Sequence, residues 1–554
     1  MERDLSRDGW TNRIRNAVLT SLRPLWALSN GIRWIHGPVN RFLIDNAVKQ
    51  SRSRPHPLST FEDAYTSVES LRNKRYFSRH LPAVKPRADL PDVADVAELF
   101  RRTGECKRSP KSTMLFASYA QWFTDGFLLS DSDDRRKNHS THELDLAQLY
   151  GTTEEITNAL RSKRDETGQR GKLKSQVLRG EEYAPFLYDE AGKRIVEFDA
   201  LPKPLGLPDG MSPQQLHTLF AFGGERSNTT PQTAMLNVLM LREHNRLCGE
   251  IEAAHPEWDD DRVFQTARNV LIAMQLQIVI GEYINHISPY HHAFELDPSA
   301  AWNADWNRPV WFAVEFNLLY RWHSLLPDHI EWPNRSYAIN DWRLDNRPLI
   351  EVGLAAALEA TSKQPSGEIG LGNTPQGPLL EVEKRAIMQG REAQLASYND
   401  YREAMGYPRV ERFEQISSSP EVIAGLRKVY GSVDRIEFYV GLFAEDPRPN
   451  GAVPSLLGRM VGVDAFSQAL VHPLYSKYVY NEDTFSRVGM RRIAQTRTLA
   501  DLVARNVKGG RELVVTMTQD GAARKPGIGR PKPRTRIQTG LRELARSDFM
   551  EVTQ

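Results

Sequence analysis

Two short segments carry residues whose types and spacing can do redox chemistry. The first, FNLLYRWHSLLPD at 316–328, sits in a stretch that reads helical over 315–323 and places Tyr320 and His323 at i and i+3. A neutral imidazole is a common axial ligand for haem iron. A phenol one turn away can pass it an electron and become a radical. Taken alone, such a Tyr–His pair on an apolar helix reads as ordinary core. The second, FASYAQWFTDGF at 116–127, puts Gln121 and Asp125 four apart on one predicted helical face, where both can hold a ligand or a water.

Two neighbouring segments qualify that chemistry. LREHNRLC at 241–248 sets Arg242, Glu243, His244 and Arg246 between apolar runs, which predicts a buried, structural ion-pair network. GERSNTTP at 224–231 is a loop that delivers Arg226 shortly before that helix. Two histidine clusters, His139–His142–Glu143 and His286–His291–His292, lack a full ligand set at a firm spacing and read as surface or structural.

Composition bounds the classes open to the chain. Its 554 residues carry 72 Lys+Arg against 70 Asp+Glu, a net charge of +2, which argues against a strongly basic nucleic-acid binder and a charge-disordered chain. Two cysteines, Cys106 and Cys248, exclude a disulfide framework and a cysteine-built zinc or iron–sulfur site. No run of eighteen apolar residues predicts a membrane-spanning helix, and residues 1–30 show no secretory signal. A reduced, intracellular protein is expected.

The elements that must position these residues are mainly α-helical. Helices are predicted at 262–286, 315–323, 378–405 and 420–430, with short strands at 195–198 and 437–440. Polar loops fall at 130–142 and 361–378, and a connector at 51–57. Near the N-terminus Trp10, Ile14, Val18, Leu22 and Trp26 line one helical face, with a break or kink at Pro24. Ile32, Trp34 and Ile35 form a second cluster; Gly37-Pro38 is expected to break the chain before a helix bearing Val39, Phe42, Leu43 and Ala47. Arginines at 13, 15, 23, 33 and 41 with Lys49 outnumber nearby acids. Amphipathicity by itself favours packing on the body. Residues 520–546 are rich in Pro, Gly, Arg and Lys and read as a disordered basic tail. The expected organisation is an amphipathic helical region at 1–55, a large helical domain at 56–518 and the tail at 519–554.

Together these segments resemble the animal-type haem peroxidase superfamily, in particular its prostaglandin-endoperoxide-synthase and fatty-acid-dioxygenase branch. The resemblance runs from about 41 to 507 in order, and is also carried by EDAYTSVESLRNKRYFSRHLPAV at 62–84, HELDLAQLYG at 142–151, FQTARNVLIAMQLQIVIGEYINHISPYH at 264–291 and NDYREAMG at 399–406. It implies a mainly α haem-peroxidase fold with haem b bound non-covalently through His323 as axial ligand. Tyr320 becomes the radical-forming residue and Gln121 a distal glutamine. Phe123, Phe127, Phe316 and Leu319 fall along an apolar substrate channel, and Arg41 at its mouth, where the family pairs an arginine with the substrate carboxylate. The N-terminal helices then read as a monotopic membrane-binding region.

Departures from the family pattern are informative. The distal acid–base histidine falls on Asp125, which when ionised cannot donate a proton. Arg226 matches the distal arginine of the wider superfamily through G-x-x-R-x-x-x-x-P. The proximal-side asparagine falls on Ala386, which leaves the partner of His323's outer nitrogen open. The acylated serine aligns with Ala465, one gap from Ser467, and the tyrosine that partners the mouth arginine aligns with Leu344. These departures fit a bacterial-type dioxygenase better than a prostaglandin synthase. The expected function is abstraction of a bis-allylic hydrogen from a polyunsaturated fatty acid by a tyrosyl radical, followed by O2 addition to give a hydroperoxide after activation by a peroxide. A small-donor peroxidase and a non-catalytic haem-binding, membrane-associated protein are the alternatives. A cytoplasmic location, peripheral on the inner face of a membrane, is expected, with a homodimer carried over from the resemblance and no nucleic-acid partner.

Overall fold

The computed structural model describes residues 17–49, 75–164 and 166–522. The connector at 51–57, the segment 62–74, the first apolar residues Trp10 and Ile14, and the tail beyond 522 therefore lie outside the described residues.

Burial of two long central helices organises the fold. Here α1 is Arg23–Gly31, α2 Arg33–Lys49, α3 Met114–Thr124, α4 Pro231–Ala254 and α5 Asp260–Ile278. They are followed by α6 Val314–Leu319, α7 Arg347–Lys363, α8 Pro378–Glu392, α9 Tyr398–Ala404, α10 Pro420–Tyr430, α11 Phe438–Ala444 and α12 Ser455–Leu470. Helix α4 starts where the sequence says it should: Thr230 caps it reciprocally with Thr233, and Pro231 occupies the first turn, where its missing N–H costs nothing. Its polar middle is buried on almost every side. Arg242 therefore pairs with Glu181 at 2.8 Å, and fully buried Glu243 receives Arg246, Arg505 and Asn506. This is the structural network expected from LREHNR, and removing one member would cost about 3–5 kcal/mol.

Helix α5 continues through a widened π segment, Val279–Ile284, to Ile287. The run Asp260–Ile287 is long and apolar enough to cross a membrane, yet 78% of its apolar window is buried inside the protein. It is a core helix. Strands are few and short among the described residues, pairing as antiparallel ribbons: Arg108–Thr113 with Pro365–Gly367, Gln176–Leu178 with Glu181–Tyr183, and His329–Glu331 with Ser336–Ala338.

Several local expectations change. The strand expected at 195–198 is a 3-10 turn, Val196–Phe198, that leaves Val196 73% exposed. The strand expected at 437–440 is the start of α11, all of whose residues are buried; a short apolar run cannot distinguish a buried strand from a buried helix. The helix expected at 378–405 is two, α8 and α9, because Ser397 caps α9 with Asp400. The loop expected from Thr361 begins after Lys363. Gly37-Pro38 does not break the chain: Pro38 lies inside α2. The breaks fall at Leu22, with Pro24 opening α1, and at extended Ile32 between α1 and α2.

The N-terminal helices have two faces. One packs on the body: Asn30 donates to the His291 carbonyl at 3.0 Å, His36 Nε2 pairs with the Ala293 carbonyl at 2.7 Å, and Asn40 donates to the Glu295 carbonyl at 2.8 Å. The other carries Leu25, Leu28, Trp34 and Phe42, and α1 buries none of its residues.

Candidate functional site

Helix α6 stops earlier than its sequence suggests. It ends at Leu319, Tyr320 caps it, and His323 opens a 3-10 turn, His323–Leu325. Tyr320 and His323 therefore do not share one helical face. Leu326, the residue before Pro327, is extended at ψ 123, as a pre-proline residue prefers, so a helix through His323 could not run on.

Tyr320 sits in a shell of rings. Its centroid is 5.0 Å from Phe316, 5.0 Å from stacked Trp322 and 6.4 Å from Phe123. Phe127 extends the wall, 4.8 Å from Phe123 and 5.7 Å from Phe316, and Leu319 is fully buried beside them. The structure thus brings together Phe123, Phe127 and Phe316 around the phenol. The Tyr320 hydroxyl is buried and interacts with the Tyr283 hydroxyl. Burial pushes its pKa well above the ordinary phenol value. A phenol held this way loses an electron and a proton together far more readily than a proton alone. Tyr283 and Tyr119, 5.3 Å apart, join the same cluster, Tyr283 interacting with Tyr320 and Tyr119 with Gln275; sequence reasoning did not single them out.

On the other side of this wall, Asp125 ends α3, its amide bonded to the Gln121 carbonyl at 3.0 Å. Gln121 is half-buried one turn earlier. Asp125 is buried with Oδ2 unpaired; burial lifts its pKa to about 7, against the pull of Arg226. Arg226 donates to the Leu128 carbonyl at 3.0 Å. With its pKa lifted to about 7, the protonated form of Asp125, which can donate, is accessible near neutral pH, whereas the expectation concerned only the ionised form.

The open question at His323 has an answer. Its Nδ1 donates to Glu383 Oε1 at 2.9 Å, and Nε2 makes no hydrogen bond among the described residues. Glu383, 1% exposed on α8, also accepts from Thr374 Oγ1 at 3.0 Å and from the Tyr439 hydroxyl. Ala386 is buried and offers no polar group, but Glu383 lies three residues before it on the same helix. That i−3 spacing was the available signal. A glutamate in EVEK reads as surface unless the helix face is known.

The polar atoms left unpaired test the haem that the resemblance implies. Asp125 Oδ2 and Arg321 Nε are buried without hydrogen-bond partners, and Arg226 Nε meets only Glu225 of the same loop, at 3.5 Å. Asp125, Arg226 and Arg321 feel one another's charge. Buried polar groups are nearly always paired, so this cluster next to an available imidazole nitrogen fits a polar, carboxylate-bearing iron porphyrin. Cys248 packs on Gly171 and His244, and Cys106 on Lys107, so neither thiol is engaged with His323.

A separate cavity lies beneath α2, and none of the expected substrate residues Arg41, Phe123, Phe127, Phe316, Leu319, Leu344 and Ala465 lines it. Arg41 Nη2 pairs with Asp297 at 2.9 Å and Ser299 at 2.7 Å on the surface, half-exposed. It lies two residues from Leu43, which lines that cavity with Ala47, Ile284, Phe294 and Phe466; two residues on a helix is just over a half-turn, about 200°, so Arg41 points away. The cations in that cavity wall are Arg448 and Arg459. Leu344 is buried at φ 52 with its amide on the Thr229 carbonyl, and is not in the cavity wall. Ala465 is buried on α12 next to the cavity residue Phe466, and Ser467 Oγ is turned back onto the Asp464 carbonyl at 3.2 Å. His286 pairs with Ser112 and His139 with Asp131, and no group of three metal-ligating side chains is assembled among the described residues.

The animal haem peroxidase family profile matches residues 129–518. The chain is 31% identical over 508 residues to prostaglandin G/H synthase 2 of Equus caballus, covering 89% of this chain and 80% of that protein. It is 31% identical over 467 residues to prostaglandin G/H synthase 1 of Rattus norvegicus, covering 82% and 74%. Among solved structures, the fatty acid alpha-dioxygenase of Arabidopsis thaliana superposes with a TM-score of 0.65 at 16% identity, covering 90% of each chain. Peroxidase A of Dictyostelium discoideum superposes with a TM-score of 0.63 at 19% identity, covering 84% of this chain and 99% of that one. At those identities the superpositions speak to fold alone.

Proposed function

Because this chain belongs to the animal haem peroxidase family and is an oxidoreductase with a haem cofactor, we propose that it is a dioxygenase of polyunsaturated fatty acids that works through a radical on Tyr320. The observation that carries the reading is the fully buried Tyr320 phenol inside a wall of rings three residues before His323. Haem b, bound non-covalently, would be held by His323 through Nε2, and Asp125 and Arg226 would be the polar groups offered to a peroxide. When bound, the haem supplies the one-electron oxidation of Tyr320 at the expense of a peroxide.

The chain's own residues do the rest. The Tyr320 phenoxyl oxygen takes a hydrogen atom from a bis-allylic carbon, leaving a carbon radical and restoring the phenol. O2 adds to that carbon, and the peroxyl radical takes the hydrogen atom back from Tyr320, giving the hydroperoxide and the phenoxyl again. Phe123, Phe127 and Phe316 hold the lipid chain and keep water out. Arg448 and Arg459 are the cations of the cavity wall, where a lipid carboxylate would meet positive charge.

The raised pKa of Asp125 favours a second reading, peroxidase turnover of small donors. One experiment separates the two. Haem-loaded protein with linoleate is expected to consume oxygen and yield a hydroperoxide by mass spectrometry; no oxygen uptake overturns the dioxygenase reading. Guaiacol oxidation driven by peroxide should be slow. It should also fall about tenfold per pH unit above pH 7, since a donor with its pKa near 7 loses its proton there. The pH dependence should vanish in Asp125→Asn.

The exposed apolar face of α1 and α2 supports peripheral membrane contact, with lipid entering beside Leu43 and Ala47. Each buried leucine contributes about 1.5–3 kcal/mol. The Leu25→Asp/Leu28→Asp double variant should therefore bind phospholipid vesicles at least about tenfold more weakly. Unchanged co-sedimentation would remove this part of the proposal.

A further inference from the structure

We propose that Glu383, braced by Tyr439 and Thr374, is a positioning residue that fixes the His323 ring and strengthens its Nε2 as a donor to haem iron, holding the iron toward the ferric state. The inference rests on the haem reading above and adds a group that the sequence pattern left blank.

The geometry is a convergent one. Glu383 comes from α8, Tyr439 from α11, Thr374 from the loop before α8, and His323 from the turn after α6. Oε1 accepts from His323 Nδ1 at 2.9 Å and from Thr374 at 3.0 Å, while Oε2 accepts from the Tyr439 hydroxyl. Tyr439 is itself locked between Phe100, stacked at 5.3 Å, and Phe443 at 5.1 Å. A carboxylate this deeply buried is kept because its donors satisfy it, and three donors from three elements leave it no second orientation.

The electronic consequence follows from the acceptor's charge. Hydrogen bonding from Nδ1 to an anionic oxygen draws the shared proton away from the ring and raises electron density at Nε2. A stronger donor stabilises the more oxidised metal. A neutral acceptor at the same place would orient the ring equally well without that push, so orientation and donor strength separate in the conservative variant.

The test uses the haem-loaded full chain. Haem titration of the parent examines the haem reading first; a parent that binds no haem overturns both proposals. Glu383→Gln keeps shape and hydrogen bonding but removes the charge. It is expected to retain haem, to shift the ferric–ferrous equilibrium at least tenfold toward ferrous, which is about 59 mV for one electron, and to lower the ferrous iron–histidine stretching frequency. Tyr439→Phe should move both readouts the same way by less, and Glu383→Asp should restore part of the parent's potential. Haem bound normally in Glu383→Gln with potential and stretch unchanged overturns the inference alone. If Glu383→Gln fails to fold or to hold haem, Tyr439→Phe decides by the same two readouts, and no shift in it overturns the proposal.

Discussion

Tyr320→Phe is expected to abolish fatty-acid oxygenation while leaving the fold and the haem spectrum intact. The substitution removes one oxygen whose polar neighbour is the Tyr283 hydroxyl, so little hydrogen bonding is lost. The ring remains against Phe316, Trp322 and Phe123, and its packing is preserved. Thermal stability should therefore equal the parent's or rise slightly. Catalysis has no such tolerance. The hydrogen-accepting oxygen is the reacting atom itself, and a benzene ring offers nothing in its place. Oxygen uptake with linoleate should fall at least about a hundredfold, equivalent to at least about 2.7 kcal/mol of barrier. Peroxide-driven oxidation of small donors, which does not pass through this residue, should be little changed. Parent-level oxygen uptake in the variant would end the radical account. Loss of both activities with a normal Soret band would mean that Tyr320 serves the haem site as a whole.

What could be read from the sequence follows from which interactions are local. Helix α10 at 420–430 is legible to the residue: Ser419 caps it through the Val422 amide, and Gly431 takes the positive φ that ends it. The LREHNR network is legible because consecutive charges inside an apolar run must pair or not be there. The identities of His323, Tyr320, Asp125 and Arg226 came from segments whose order and spacing match a family. What was lost depends on direction. Arg41 and Leu43 lie two apart, and only the rotation of α2 decides which of them meets the cavity. Gly37-Pro38 reads as a break, but near the start of a helix a proline forfeits one backbone bond and can be carried. Glu383 is invisible because its partners are some 60 residues away on either side, at His323 and Tyr439. The end of α6 at Leu319 matters most. Departure from the helix at Tyr320 leaves the phenol among Phe123, Phe316 and Trp322 while the imidazole turns to Glu383. An unbroken helix would have set the two side chains side by side.

His323→Ala should cause the other large loss, and it should fail at haem retention before chemistry. The parent imidazole offers Nε2 while Nδ1 is anchored. Removing it deletes the axial ligand and takes one of three donors from the buried Glu383 carboxylate. A cofactor that binds only the folded state stabilises it by RT ln(1 + [L]/Kd), about 2.7 kcal/mol at a hundredfold excess over Kd. Haem should accordingly raise the parent's melting temperature and leave the variant's almost unmoved. Haem stoichiometry should drop well below one per chain and oxygen uptake should fall to background. Added imidazole discriminates between loss of a ligand and loss of a fold. The vacated space keeps Glu383, Thr374 and Tyr439, so a free imidazole can donate one nitrogen to the carboxylate and present the other as His323 did. Partial return of the Soret band and of oxygen uptake with imidazole, but not with a similar-sized apolar ring such as toluene, is the expected outcome. A variant that binds one haem per chain with the parent's spectrum and turnover would remove His323 from the axial position, and with it the role assigned to Glu383.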